Sequence, residues 1–141
     1  MNIPTIHPPT KVYVKESNIP NAGRGVFAKE SIKKGETIEV SPVVRIERDD
    51  PSITNSESIV PHYVFTFKEG YEGFALGYGS LYNHNYDPNA LYDKNDELLS
   101  VVFTARRDIA EGEEITVTYN NSDPSDTSTP MNRGVLPYGE A

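Results

Sequence analysis

The chain has 141 residues and contains neither cysteine nor tryptophan. Without cysteine there is no disulfide framework, no thiolate-bound zinc or iron–sulfur site and no thiol nucleophile. No apolar stretch approaches the ~18 residues that a membrane-spanning helix needs. The opening segment MNIPTIHPPT has neither a basic region nor an apolar run, so it does not read as a signal peptide. A soluble intracellular protein is the expectation, cytoplasmic or, for a virus or intracellular pathogen, in a host nucleus. Positive charge is scarce: 13 Lys and Arg stand against 21 Asp and Glu, a net charge of −8. Phosphate backbones repel such a surface, so the expected partner is a basic protein or peptide rather than nucleic acid or a membrane. Apolar residues make up only 36%, which limits the core.

Turn formers are plentiful, with 11 Pro and 10 Gly, and the aromatics are nine Tyr and five Phe. The length suits a single domain. Residues 1–10 are Pro-rich and aperiodic and read as an arm. Residues 11–120 carry the apolar pattern. Residues 121–141 are rich in Ser, Thr, Asn, Asp, Pro and Gly; such a tail has no core of its own and orders only against the body, if at all.

Within the middle zone the strand signals are short and numerous. They fall at residues 12–14, 25–28, 36–40, 43–46, 63–67, 98–104 and 114–119, with a break at Pro42. In the last of them Ile115, Val117 and Tyr119 share one face, and Glu114, Thr116 and Thr118 the other. A helical turn is expected at 79–84, and no longer helical stripe is present. The class is mainly β, built of several short sheets.

One pattern occurs twice. Ala28-x-x-x-Ile32-x-x-Gly35-Glu36-x-Ile38 is repeated as Ala105-x-x-x-Ile109-x-x-Gly112-Glu113-x-Ile115, at a constant offset of 77. Each copy implies a strand, a polar stretch with one Ile plugged into the body, and a Gly-Glu turn that opens a new strand. Gly35 and Gly112 suit a position with positive φ.

Three segments could carry chemistry. Gly23-Arg24-Gly25-Val26-Phe27-Ala28 lets backbone approach a ligand or simply forms a turn; it lacks the third Gly and the helix of a dinucleotide fingerprint. Asn83-His84-Asn85-Tyr86-Asp87-Pro88-Asn89 packs polar side chains densely and reads either as a binding segment or as an Asx-rich surface turn. His84 could serve as a base, but no Ser or Cys nucleophile accompanies it, and His7, His62 and His84 are spaced too far apart for a metal motif. Gly112-Glu113-Glu114-Ile115-Thr116-Val117-Thr118-Tyr119 ends on a phenol placed to enter a pocket or to close the core with its hydroxyl in water.

Together and in this order, the three segments resemble the signature motifs of the SET-domain protein lysine methyltransferases. The likeness spans about residues 11–120. Having no Cys-based zinc clusters, the chain is most similar to the minimal viral and bacterial members. The resemblance implies a β-clip type fold with knot-like threading of the C-terminal segment. It implies S-adenosylmethionine as cofactor and methyl transfer to a lysine amine of a basic or histone-like protein. By resemblance, Gly23, Arg24 and Gly25 line the methionine part of the cofactor, Asn83 holds its amino group, and His84 meets the adenine through its main chain rather than acting as a base. Tyr119 corresponds to the catalytic Tyr, and Tyr92 to the position that sets how many methyl groups are added. Leu76, Gly77 and Tyr78 correspond to the strand that pairs with the substrate peptide.

The family completes its lysine channel with an aromatic from the C-terminal tail. None follows closely after Tyr119, and Tyr138 is the remaining aromatic downstream, so Tyr138 is expected to lid the channel. The segment at 47–62, which shapes substrate choice in larger members, is short. A monomer or a homodimer fits. The alternatives are a catalytically inactive SET or β-clip domain that binds a peptide or protein, and a β-clip module of another kind.

Overall fold

A computed structural model describes residues 4–68 and 70–130. The strands are β1 (Val12–Glu16), β2 (Arg24–Ala28), β3 (Thr37–Glu47), β4 (Val64–Thr66), β5 (Tyr71–Ala75), β6 (Asn83–His84), β7 (Ala90–Asn95), β8 (Ser100–Ala105) and β9 (Glu114–Val117). They form two sheets, ordered β1-β2-β9-β6 and β4-β5-β3-β8-β7. Every pairing is antiparallel except that of β6 with β9.

The break expected at Pro42 is absent: β3 runs through it. Pro42 has no N–H to give to a ladder, which normally confines proline to edges and bulges. Here it stands where β3 changes partner, since residues up to Pro42 pair with β8 and residues from Val43 onward pair with β5. The helical turn expected at 79–84 is also replaced. Residues 79–80 lie in a turn and Asn83–His84 form β6. The helical segments are α1 (Pro51–Thr54), capped by Asp50, and a 3-10 turn at Val60–His62, both within the short 47–62 connection. Strands β5, β6 and β7 carry no clean alternation in sequence and gave no signal.

The two copies of the repeat pack against each other as near-mirror partners. Ile32 and Ile109 form an antiparallel bridge, each backbone N–H reaching the other's carbonyl at 2.8 and 2.7 Å. Gly35 N–H donates to the Ala105 carbonyl and Gly112 N–H to the Ala28 carbonyl, both at 2.8 Å. Gly35 and Gly112 have φ of 88° and 85°, the left-handed region that favours glycine. Ile32 and Ile109 are both buried and join the one hydrophobic cluster, with Phe103, Val101, Ile115 and Val117.

The second copy delivers β9 between β2 and β6. In this central position both faces of the strand are covered, so Glu114 and Thr116 are buried as well as Ile115 and Val117. The polar face of the alternation is paired as well. Asn89 accepts from Thr116 N–H at 2.9 Å and donates to the Glu114 carbonyl at 2.9 Å. Asn89 is thus a buried clamp and not part of a surface turn.

Candidate active site

β9 brings the motif residues together. Its pairing with β2 sets Glu114 beside Phe27, and its parallel pairing with β6 sets Asn83 opposite Thr116 and His84 opposite Val117. Asn83 Nδ2 reaches across to donate to the Arg24 carbonyl and to Glu114 Oε2, both at 3.0 Å. Both partners are acceptors, so the amide nitrogen must face them and the amide oxygen must turn away. Glu114 also accepts from Ser17 Oγ at 2.8 Å and from Asn18 N–H at 2.9 Å. A Cβ at Gly25 would run into the Glu114 carboxylate and Asn83 Nδ2, so this glycine is required for close packing. Gly23 has φ of 76° and ends the turn into β2, where Arg24 is exposed.

His84 does more than the resemblance implied. Its ring Nδ1 accepts the Tyr119 backbone N–H at 3.0 Å, and its ring lies 5.1 Å from that of Tyr119. An accepting Nδ1 means a neutral imidazole whose proton is on Nε2. The side chain therefore anchors Tyr119, two residues beyond the end of β9. Tyr86 meets the same imidazole edge-on at 4.4 Å.

The Tyr119 hydroxyl donates to the Tyr82 carbonyl at 2.8 Å. Tyr119 is thus held at both ends by one segment: its amide by His84 and its hydroxyl by Tyr82. Tyr92 lies on β7, which packs against β9. Its ring meets Phe65 edge-on at 5.0 Å and stands 6.1 Å from Phe103. Tyr82 stacks on Phe103 at 4.3 Å. Tyr92, Phe65, Phe103 and Tyr82 therefore form one aromatic group, tied to Tyr119 through the Tyr82 carbonyl.

Leu76, Gly77 and Tyr78 lie in the turn after β5 rather than in a strand. Leu76 is exposed, and its N–H is bound by the Pro42 carbonyl. Tyr78 N–H donates to Glu39 Oε2 at 2.9 Å, and the buried Tyr82 hydroxyl donates to Glu39 Oε1 at 2.7 Å. Burial pushes the Glu39 carboxyl above its ordinary value, against the pull of these two donors. Burial, and then the neighbouring Glu39, push the Tyr82 phenol well above its own, so it stays a donor. Neither Glu39 nor Tyr82 is assigned a role from sequence: Glu39 reads as one position of a strand and Tyr82 as part of a helical turn. The spacing of Glu39 after Gly35-Glu36 was the only available cue.

The first part of the tail is fastened to the body. Ser122 Oγ accepts the Tyr92 N–H at 2.8 Å, Lys94 Nζ donates to Asn121 Oδ1 at 3.3 Å, and Asn120 Nδ2 donates to the Asp126 and Ser128 carbonyls at 3.0 and 2.7 Å. Tyr138 lies outside the described residues.

Comparison with known proteins matches this arrangement to a family. The model of the SET domain covers residues 23–120, so the chain belongs to the SET-domain family. A Schizosaccharomyces pombe protein named as a histone-lysine N-methyltransferase specific for H3 lysine-37 is 31% identical over 121 residues, which cover 86% of this chain and 80% of that protein. A solved Plasmodium falciparum structure, assigned to the histone methyltransferases, is 33% identical with a TM-score of 0.64 and covers 80% of this chain and all (100%) of that one. An active polycomb repressive complex 2 in the basal state is 26% identical with a TM-score of 0.66; the match covers 77% of this chain and only 15% of the other.

Proposed function

We propose that this protein transfers a methyl group from S-adenosylmethionine to the side-chain amine of a lysine in a basic, histone-like protein. Residues 11–120 form the catalytic domain on this reading. The observation that carries it is the double anchoring of Tyr119, by His84 and Tyr82, next to the Asn83–Arg24–Glu114 cluster. The SET-domain membership supports the reaction class. Related proteins are named for histone lysines, and the net charge of −8 suits a Lys-rich segment.

The residues present fit the cofactor. An ammonium needs oxygen acceptors, and the Asn83 amide oxygen is turned away from Arg24 and Glu114 by the bonds its nitrogen makes. Asn83 and the backbone at Gly23, Arg24 and Gly25 would hold the methionine part, and the His84 region the adenine. When bound, S-adenosylmethionine supplies an electrophilic methyl group on a sulfonium sulfur.

The chain's own residues do the rest. Because the Tyr119 hydroxyl gives its proton to the Tyr82 carbonyl, its oxygen lone pairs are left to accept an amine N–H. That contact orients the amine rather than deprotonating it, and alignment of this kind supplies much of the acceleration in two-body steps. The lysine must arrive neutral, whereas free lysine has a pKa of ~10.4. An apolar channel disfavours the ammonium and so helps it lose its proton; on this reading Tyr92, the partly exposed member of that aromatic group, lines it. The same aromatic face steadies positive charge and keeps water out. The exposed Leu76–Gly77 turn offers backbone for the substrate peptide.

Titration calorimetry with S-adenosylmethionine tests the cofactor site on wild type and Asn83→Ala, followed by transfer of a radiolabelled methyl group to recombinant histone H3. Binding lost or weakened by about tenfold or more in Asn83→Ala is expected, since the amide holds a charged group. A wild-type protein that binds no S-adenosylmethionine, even with a Lys-rich peptide present, would overturn the reading.

A further inference from the structure

Glu39 belongs to none of the motifs, yet its surroundings are shaped around it. It is 3% exposed on β3. Its two oxygens take two donors, Tyr78 N–H on Oε2 and Tyr82 O–H on Oε1. Both donors come from the one segment that runs from Leu76 to Asn83. The near end of that segment is the exposed turn assigned to the substrate. The far end carries the Tyr82 carbonyl, which holds the Tyr119 hydroxyl, and Asn83, which faces the cofactor side.

The turn is closed down on the carboxylate. Gly77 has φ of 64°, and a Cβ there would strike Glu39 Oε2. A Cβ at Gly79 would strike Ser41 Oγ, which is buried two residues further along β3. Both glycines of Gly77-Tyr78-Gly79 are thus required by side chains of β3. A neutral apolar residue at position 39 would cost less to bury than a carboxylate. What an apolar residue lacks is a pair of acceptor oxygens for two separate parts of one loop.

We propose that Glu39 is a positioning residue for methyl transfer: its carboxylate fixes the substrate-facing turn and the acceptor of the Tyr119 hydroxyl in one relation to each other. The proposal rests on the roles given above to Tyr119 and to the Leu76–Gly77 turn. The connection is continuous, from the Glu39 carboxylate to the Tyr82 hydroxyl, through Tyr82 to its carbonyl, and on to the Tyr119 hydroxyl. Release of either bond lets the loop shift, and a shift of ~1 Å at a reacting group costs ~10²-fold in rate.

Glu39→Gln keeps the shape and one acceptor oxygen; its NH2 group either faces the Tyr78 N–H, which loses its acceptor, or faces the Tyr82 hydroxyl, which must turn and accept. Tyr82→Phe removes the hydroxyl and leaves the carbonyl that Tyr119 uses. Three quantities are read for each and for the double variant: kcat and KM with histone H3, the Kd for S-adenosylmethionine by calorimetry, and amide hydrogen exchange of residues 76–82 in the free protein. Glu39→Gln is expected to lower kcat about tenfold or more while the cofactor Kd moves by less than about threefold. With the NH2 group facing the Tyr78 N–H, the Tyr78 amide is expected to exchange about tenfold faster or more relative to amides of β1 and β2, reporting loss of its bond. Tyr82→Phe is expected to lower kcat by a smaller factor and to add little to Glu39→Gln, since both act through the same bond. Glu39→Gln with wild-type kcat overturns the proposal. If Glu39→Gln does not fold, folded Tyr82→Phe decides alone, and unchanged kcat in it overturns the proposal. Failure of the wild type to bind the cofactor sinks the methyltransferase reading itself and is seen before any variant is made.

Discussion

In the first copy of the repeated unit, Gly35 closes a turn onto the Ala105 carbonyl; in the second, Gly112 closes the same turn onto the Ala28 carbonyl. The acid after each glycine folds back in the same way, Glu36 onto Lys33 N–H and Glu113 onto Ala110 N–H. The strands that follow differ. After Ile38 the chain runs on as the eleven-residue β3 and changes partner at Pro42. After Ile115 it runs as the four-residue β9 and reaches Tyr119, the position equivalent to Pro42 at the repeat offset of 77. Two copies of one turn thus serve as a rigid, reciprocal joint, and the chemistry is placed on what leaves it. The first exit supplies Glu39 beneath the turn proposed to meet the substrate, and the second supplies Tyr119, the residue proposed to orient the amine.

The sharpest way to break the joint is at its shared contact. Ile32→Ala and Ile109→Ala should each cost about 2–5 kcal/mol in denaturant unfolding, the range for truncation of a buried Ile. The two losses should be similar, and the double variant should lose less than their sum because the residues touch. A large loss at one site and a small one at the other would contradict a reciprocal joint.

The exits are separated by activity. Tyr119→Phe removes the hydroxyl and keeps the ring, so kcat should fall by ~10²-fold, about 2.7 kcal/mol of barrier, with a nearly unchanged melting temperature. Pro42→Ala, at the equivalent position, keeps the carbonyl that binds Leu76 N–H and should leave kcat within about twofold. Equal effects at the two positions would mean that the exits are not specialised.

Smaller effects test the turns. A Cβ at Gly35 or Gly112 meets nothing within 4 Å, so alanine there carries only the strain of positive φ. Gly35→Ala and Gly112→Ala should therefore each cost about 1–2 kcal/mol, matched to within a few tenths. Gly77→Ala, by contrast, adds a collision with Glu39 and should cost more than either. The smallest effect is electrostatic. The Lys33 N–H, and then the Lys11 ammonium, hold the Glu36 carboxyl below its ordinary 4.5. A depressed folded-state value means that Glu36 stabilises above the ordinary value and that this contribution is lost as pH falls through the folded one. Melting temperature measured from pH ~6 to pH ~3 should fall slightly less steeply in Glu36→Gln than in wild type.

The residues themselves disclosed the mainly β class, the repeat and the segments around Gly23–Gly25, Asn83–His84 and Tyr119, whereas Tyr92 was singled out through the family resemblance alone. Local signals sufficed there because glycine turns and the alternation of apolar residues are written in short stretches. Three things were hidden. Pro42 looked like a strand break because a proline's cost depends on whether its missing N–H is needed, and that is decided by a change of partner strand. The burial of Glu114 and Thr116 left no sign, because alternation marks which residues share a face and not whether that face is covered, and β9 is covered on both. Glu39 read as no more than one position of a strand because its partners, Tyr78 and Tyr82, lie some forty positions away.

The place of β9 also sets a timetable. It inserts between β2 and β6, yet about 86 residues separate the end of β2 from its start. At ~5–20 residues per second, a ribosome takes roughly 5–15 s to deliver it. Throughout that interval one flank of β2 is an unpaired edge, the kind of surface that chaperones cover and neighbouring chains can zip onto. Asn83 and Arg24 have no Glu114 between them until then, and Tyr119 has not yet been made. The Asn83–Glu114 and Tyr119–Tyr82 contacts therefore form only after the last strand has been made.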